Sequence, residues 1–524
     1  MKLRTIVKIA ITSSVVLLCS GFALYSFFRL SAAEGQKDFN LYELVPSTTS
    51  AVFVTDDVLE FVAEVDELTC SKNQQYLYVS KLFSYLKQSL YALSEDTPHG
   101  LSRQMNQMLI SFHEPDNERN QVLYCRLGNG DKELVDRFVR KYISSLYPPK
   151  TFIYKGEEII IYPMADGDFL ACYLTSDFMA LSFQKKLIEN VIDAYKSGKS
   201  LADDSTFTGI RAPKKSAAAA TIYTRMQGMM GWTEFDMKMK DDFIYFSGIT
   251  HDADTCFAFI NQLRQQQSVK GFPGEVLPST AFYFSRQGIT DWVSLLSYGN
   301  AQGQSVPART SEVQNRDKEF SRYLMENAGR DLVACLFQRE DTLQGVAAVL
   351  SLSVADVTEA ERMLRALVNA APADEGRRNP RITFCYTVNK AYPIYRLPQT
   401  TLFKQLTSFV EPTLDVYAAF YGGRLLLAPD EDSLSHYIRQ LDKGEVLNGA
   451  MAYQTGMDHL SDSYHFMLMA DFDHVFRQSE NHVRFVPDFF LRNADFFRHF
   501  TLFVQFACAD GMVYPNIVLK YKSE

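Results

Sequence analysis

Four of the nine histidines crowd one segment, His459, His465, His474 and His482, with Asp458, Asp471 and Asp473 among them. Imidazole and carboxylate suit Zn²⁺ or Fe²⁺, and a metal held this way would activate water for hydrolysis. The histidine spacings of 6, 9 and 8 residues fit no compact ligand motif, and the local pattern puts His465 and His474 on different elements. A metal-assisted hydrolase at His459, His465 and His474 is therefore an alternative reading, and no metal or cofactor is expected. Asp471-Phe472-Asp473 would place two carboxylates on one side of a strand. That spacing fits an acid–base pair, and it fits two solvated carboxylates at a strand end; the second is the commoner arrangement. Phosphate-cradling glycine loops, GxSxG, HExxH and EF-hand loops are missing from the sequence. Gly128-Asn129-Gly130 before Asp131 reads as a turn and helix N-cap. No catalytic residue is assigned.

The densest aromatic stretch holds Phe485, Phe489, Phe490, Phe496, Phe497 and Phe500, followed by Phe503 and Phe506. Positions 489, 490, 493, 496, 497 and 500 share one stripe of a helix expected from Asp488 to His499, with Arg492 and Arg498 elsewhere. Such a stripe either packs into the core against the last hairpin or presents rings to a partner protein or lipid. Asn493 within it and Pro487 beside it make those six phenylalanines the candidate interaction surface. Lys214-Lys215 and Arg377-Arg378 are isolated basic pairs in loops, too short for electrostatic binding to anionic lipid.

The elements that must position these groups belong to an ordinary globular chain. The 524 residues are 47% hydrophobic and 22% charged, with 53 Lys and Arg against 62 Asp and Glu, a net charge of −9. That balance excludes a disordered chain, a fibrous repeat, a polytopic membrane protein and a nucleic-acid partner. Lys2, Arg4 and Lys8 precede an uncharged run, Ile9 to Phe28, closed by Arg29. Twenty residues at ~1.5 Å rise reach across a ~30 Å hydrocarbon core. The expectation is a cytoplasmic stub at 1–8, a transmembrane anchor contacting the bilayer at 9–28, and the body in the periplasm. The alternative is a cleaved signal peptide ending at Ser31-Ala32-Ala33 and a soluble periplasmic body. Seven cysteines beyond the anchor, widely spaced and without CxxC, read as buried thiols rather than a disulfide frame or zinc site.

Internal similarity is the strongest signal. Leu44-Val45-Pro46-Ser47-Thr48 leads into an apolar run, and so does Val276-Leu277-Pro278-Ser279-Thr280. Proline lacks an N–H, so it suits the residue ahead of a strand. Leu170 to Phe183 and Val416 to Ala428 each read as two short strands around a turn. A helix follows each at the same offset, ended by Gly198 in one and Gly444 in the other. Each half then closes on a hairpin, turning at Asp241-Asp242 or Asp510-Gly511. Val346 to Val354 leads into another helix, with Thr358-x-x-Glu361 as its expected capping box. The expected class is α+β: two similar antiparallel-sheet-plus-helix units in tandem, at 41–250 and 275–524, with helices on one face and a connecting helix and linker at 251–274.

This pattern resembles a family of uncharacterised bacterial envelope proteins, catalogued as a domain of unknown function. The resemblance rests on the run Ile9–Phe28, on Val45-Pro46-Ser47-Thr48, and on the strand–strand–helix–glycine segment at 170–201. It implies an exported, membrane-tethered body and supplies no catalytic residues. The sequence thus points to a non-catalytic binding or scaffold component of the cell envelope, with an envelope protein as partner. Alternatives are a protein that binds lipid or another hydrophobic ligand, and the metal-assisted hydrolase.

Overall fold

The computed structural model describes residues 39–522 apart from 74–104, 114–118, 129–130, 141–146, 165–166, 212–217, 226–230, 251–257, 291, 293–294, 296–310, 340–344, 371–380, 389, 398–399, 401–402, 404–405, 407–414, 478–485 and 487. The first ten strands are β1 (Ala51–Thr55), β2 (Met108–Phe112), β3 (Gln121–Arg126), β4 (Lys150–Tyr154), β5 (Glu157–Pro163), β6 (Phe169–Leu174), β7 (Phe178–Ser182), β8 (Ala220–Thr224), β9 (Thr233–Lys240) and β10 (Phe243–Thr250). A short β11 (Val269–Lys270) follows. Then come β12 (Ala281–Gly288), β13 (Ala328–Gln338), β14 (Val346–Val354), β15 (Ile382–Tyr386), β16 (Ala391–Leu397), β17 (Val416–Tyr421), β18 (Arg424–Ala428), β19 (Ser463–Tyr464), β20 (Phe466–Asp471), β21 (Phe500–Ala509) and β22 (Met512–Tyr521).

Twenty of these strands form one antiparallel sheet, and β11 pairs only with β19. Its spatial order is β4-β5-β6-β7-β3-β2-β1-β8-β9-β10, then β22-β21-β20-β12-β13-β14-β18-β17-β16-β15. The class is α+β. The junction is β10 against β22, where Ser247 sits opposite Asn516.

Local chemistry sets the ends of the elements. Pro46 and Pro278 each bridge to the segment that follows a helix, at Ser200 and Val446. The contact is sealed by Leu201 N–H to Val45 O at 2.7 Å and Leu447 N–H to Leu277 O at 2.9 Å. The Lys185–Ser197 helix ends at Gly198, in the left-handed region at φ 62°. Both closing hairpins turn through an aspartate at positive φ, Asp241 at 51° and Asp510 at 52°. Asp tolerates that region because its short side chain bonds locally.

Helices cover both faces of the sheet, not one. Leu332, Ala334 and Leu336 of β13 enter one core, while Val333, Cys335 and Phe337 enter the other. Strand residues of both parities are apolar, so each face needs a cover. The Lys185–Ser197 and Glu431–Asp442 helices pack on the face termed front. The Val58–Glu67, Asp131–Phe138, Ser311–Asn327 and Val357–Ala370 helices pack on the back.

Other expectations are corrected. The transmembrane helix is not supported: among the described residues no helix is long and apolar enough to cross a membrane. The Ser311–Asn327 helix has 17 residues and carries charge along its length; residues 9–28, where the span was expected, lie outside the described residues. The Val357–Ala370 helix is capped by Asp356, which accepts from Thr358 N–H at 2.9 Å and Glu359 N–H at 3.1 Å. The connecting segment is helical at Ala258–Arg264; residues 251–257, where that helix was expected to start, lie outside the described residues. Among the described residues six cysteines are free thiols, five of them buried; Cys19 and Cys256 lie outside.

Candidate functional site

The histidines are held by different partners. His459 Nδ1 lies 3.3 Å from the Tyr245 hydroxyl, and its ring packs on Phe243 at 4.4 Å between centroids. His465 Nδ1 accepts from the Cys508 N–H at 3.1 Å, and burial pushes its pKa down. His474 Nδ1 is 3.3 Å from Asp471 Oδ2. His482 lies outside the described residues. Among the described residues no group of three or more His, Cys, Asp or Glu could hold a metal ion. Asp471 and Asp473 are not an acid–base pair, because β20 ends at Asp471 and a helix starts at Phe472. Asp471 caps that helix through Asp473 N–H and receives Lys522 Nζ at 2.6 Å. Burial alone would raise its carboxyl, but His474 and Lys522 outweigh it and hold the pKa below the usual range. Asp473 pairs with Arg477 at 2.6 Å. Gly128 turns into Asp131 as expected, its N–H donating to the Asp131 carboxylate at 2.7 Å and its carbonyl accepting from the Asp131 N–H at 3.1 Å; residues 129–130, ahead of the helix, lie outside the described residues.

The phenylalanine stripe is broken and turned inward where it is described. Two short helices, Asp488–Arg492 and Ala494–Phe497, replace the single expected one, with the break at Asn493 (φ −106°, ψ 29°). Phe497 and Phe500 are buried; Phe490 and Phe496 are half-buried against the same core. Phe490 meets Phe472 at 5.0 Å and Phe497 at 4.8 Å, and Phe500 meets Tyr521 at 5.4 Å. Phe489 lies in the first short helix. Phe485 lies outside the described residues, as do Lys214-Lys215 and Arg377-Arg378.

A different place gathers reachable polar groups: the front of the four central strands, between the two helix layers. Antiparallel register puts Asp236 beside Ser247, Ser247 beside Asn516, and Asn516 beside Gln505, so one polar row crosses β9, β10, β22 and β21. The Ser247 hydroxyl donates to Asn516 Oδ1 at 3.0 Å, and Thr221 Oγ1 donates to Asp236 Oδ1 at 3.3 Å. Gln505 is buried and clamps Ser461, donating to its carbonyl at 2.7 Å and accepting its N–H at 3.0 Å. Tyr245 and Tyr514 stand two residues from the row on their own strands, one on either side of the junction. Ser247 is exposed, and both tyrosines, Asp236 and Asn516 are partly exposed. Phe243, Tyr245 and His459 build one wall, with Lys520 Nζ 5.8 Å from the Phe243 ring. Burial and the Asp241 charge raise the Tyr245 pKa, so its hydroxyl stays a neutral donor and acceptor. These hydroxyl, amide and carboxylate groups, flanked by the Phe243, Tyr245 and His459 rings and together termed the saddle, can hydrogen-bond a polar partner. Of the described sequence candidates, His459 reaches it. Ser247, Asn516, Tyr245 and Tyr514 were missed, although aligning the two closing turns, Asp241 with Asp510, pairs Ser247 with Asn516 and Tyr245 with Tyr514.

No protein-family model, no curated protein and no solved structure matches the chain.

Proposed function

We propose that this chain is a non-catalytic binding or scaffold protein, made by duplicating a ten-strand α+β unit, which receives its partner on the saddle where the two units meet. The units are those expected at 41–250 and 275–524. Duplication is supported by matched pairs in one order: the bridges Pro46–Ser200 and Pro278–Val446, the glycines after the Lys185–Ser197 and Glu431–Asp442 helices, and hairpins turning at Asp241 and Asp510. Read outward from the β10–β22 junction, the pair Ile244 with Leu519 recurs with its members exchanged as Thr250 with Val513, at the offset that separates Ser247 from Asn516. A near two-fold axis between Ser247 and Asn516 follows from that register.

The observation that carries the binding role is the open front of the central strands. The Lys185–Ser197 and Glu431–Asp442 helices pack on the front to either side, while Ser247, at the middle of the twenty-strand sheet, is exposed. The polar row is held by contacts within the saddle, as in Ser247 with Asn516, which fixes its donors and acceptors for recognition. A photo-crosslinking residue at position 247 of the full-length chain, irradiated in its native cells, should give a discrete adduct. The same residue at Leu59, exposed on the back, should not, and Asn516→Arg should abolish the adduct from position 247. Equal labelling from both positions, or an adduct indifferent to Asn516→Arg, would end the proposal.

A further inference from the structure

Among the described residues, seven of the eleven exposed large apolar side chains lie at the two ends of the sheet. Tyr147, Phe152, Ile153 and Phe169 surround β4, and Phe384, Tyr386 and Val388 lie on or just after β15. A sheet edge offers unpaired N–H and C=O groups, and proteins guard it with charge, above all lysine. The β4 edge is guarded. Lys150 opens the strand, Lys185 Nζ stands 5.3 Å over the Phe152 ring, and Lys155 in the adjoining turn pairs with Asp193 at 2.6 Å. The β15 strand itself is not: Ile382-Thr383-Phe384-Cys385-Tyr386 has no charge, proline or glycine, its nearest charges being Arg381 before it and Lys390 in the turn after it, over the Tyr392 ring, and among the described residues it pairs with β16 alone. Phe384 is 49% exposed and Tyr386 69%.

The ladder shows which groups are open. Arg396 N–H donates to Arg381 O and Thr387 N–H to Lys390 O, both at 2.9 Å. Alternation of the antiparallel pattern then turns the backbone of 383 and 385 toward β16, and that of Ile382, Phe384 and Tyr386 outward. The side chains of those same three residues share the back face, since the Cys385 side chain enters the front core.

We infer that β15 is a self-association edge, and that a second copy of this chain adds its own β15 antiparallel to it about a two-fold axis through Phe384. The strand is complementary to itself in that register. The two Phe384 residues exchange both backbone hydrogen bonds, and their rings meet across the pair. Ile382 lies against the partner's Tyr386, and Thr383 opposite the partner's Cys385, with no charge facing another. Aromatic and β-branched cross-strand pairs are the favourable ones. The molecule already joins strands this way at its centre, where β10 and β22 meet edge to edge. The β15 pairing leaves the saddle open, so it stands or falls separately from the partner proposed there.

Sedimentation velocity of the full-length chain over a wide concentration range tests this. A one-to-two-copy equilibrium is expected. Phe384→Pro removes the central outward N–H without touching the ladder to β16, and Phe384→Lys sets two like charges face to face. Each should weaken association by about tenfold or more, with circular dichroism and the melting curve unchanged. Ile153→Lys, on the β4 edge, should leave association as it was. A wild-type chain that stays single throughout overturns the inference. So does a dimer that survives both Phe384 variants, or one that Ile153→Lys weakens equally.

Discussion

Val54 of β1 and Arg286 of β12 occupy matching places in the two halves when Pro46 is aligned with Pro278. Phe178 of β7 and Arg424 of β18 do so when Gly198 is aligned with Gly444. The first half closes this corner with rings: Phe178 is buried against Phe39 at 4.8 Å, Tyr173 at 5.3 Å and Tyr195 at 5.4 Å. The second half closes it with charge. Arg286 Nε and Arg424 Nη2 reach the buried Asp331 carboxylate at 3.1 and 3.3 Å, and Arg424 also donates to Ser351 Oγ at 2.6 Å. Arg286 further ties down the loop after β11, donating to Gly271 O at 2.8 Å. On the proposed duplication, the same two places take an apolar closure in one half and an ionic closure in the other. Burying an ionic cluster is often no better than burying apolar groups of like size once desolvation is counted, while half of a buried pair is poor.

That contrast can be broken most sharply at Asp331. Burial alone would raise its carboxyl, but Arg424, Ser353 and Arg286 outweigh that and hold it below the usual carboxylate range. Asp331→Ala strands two largely buried guanidiniums and should cost about 3–5 kcal/mol in denaturant unfolding. Replacing all three charges with apolar groups, Arg286→Val and Arg424→Phe as in the first half together with Asp331→Leu, should recover most of that loss. If the triple variant is no better than Asp331→Ala, the ionic closure is required by its surroundings and the two corners are not interchangeable.

A second contrast lies further along the front core. The first half places Ser111, His113 and Tyr124 where the second has Cys335, Phe337 and Ser351. Ser111 Oγ is 2.9 Å from His113 Nε2 and 3.0 Å from the Tyr124 hydroxyl. Burial pushes His113 down to about 4. A lowered folded-state pKa favours the neutral imidazole, so this group's contribution is complete above its unfolded value of ~6.5 and drains away as pH falls toward 4. The first half should lose about 3 kcal/mol over that window through this residue. His113→Phe, the second half's choice, should flatten the pH dependence of the melting temperature between those limits. An unchanged slope would mean His113 is solvated.

The lead-in prolines, helix-ending glycines and hairpin aspartates were legible because each is fixed by local chemistry: a missing donor before a strand, a positive φ, a period of two. The single sheet was not. Local sequence does not say that β10 pairs with β22, because pairing between strands so distant along the chain is decided by long-range contacts. Helices on both faces went unread although β13 and β14 are apolar at successive positions, a pattern that marks strands buried on both sides. The aromatic stripe had the right period for a helix, yet the chain breaks at Asn493 and sends Phe497 and Phe500 into the core. His459 reaches the saddle only because Phe243 and Tyr245, from the other half of the chain, lie on the strand it faces.

The smallest expected effect tests whether the two halves end their front helices alike. Gly198 follows Ser197 directly at φ 62° and donates to Ala194 O at 3.1 Å. Gly444 comes one residue later, after Lys443 in right-handed geometry, at φ 76° and donating to Leu441 O at 3.0 Å. A Cβ added at either glycine would meet no atom within 4 Å, so Ala carries only the backbone penalty of the left-handed region, about 1 kcal/mol. Gly198→Ala and Gly444→Ala should therefore lower the melting temperature by similar small amounts. Gly198→Asn and Gly444→Asn should lower it less, since Asn enters that region more readily. If one Ala variant is silent while its counterpart is not, that helix can relax its last turn, and the shared cap is a likeness of sequence without a likeness of energy.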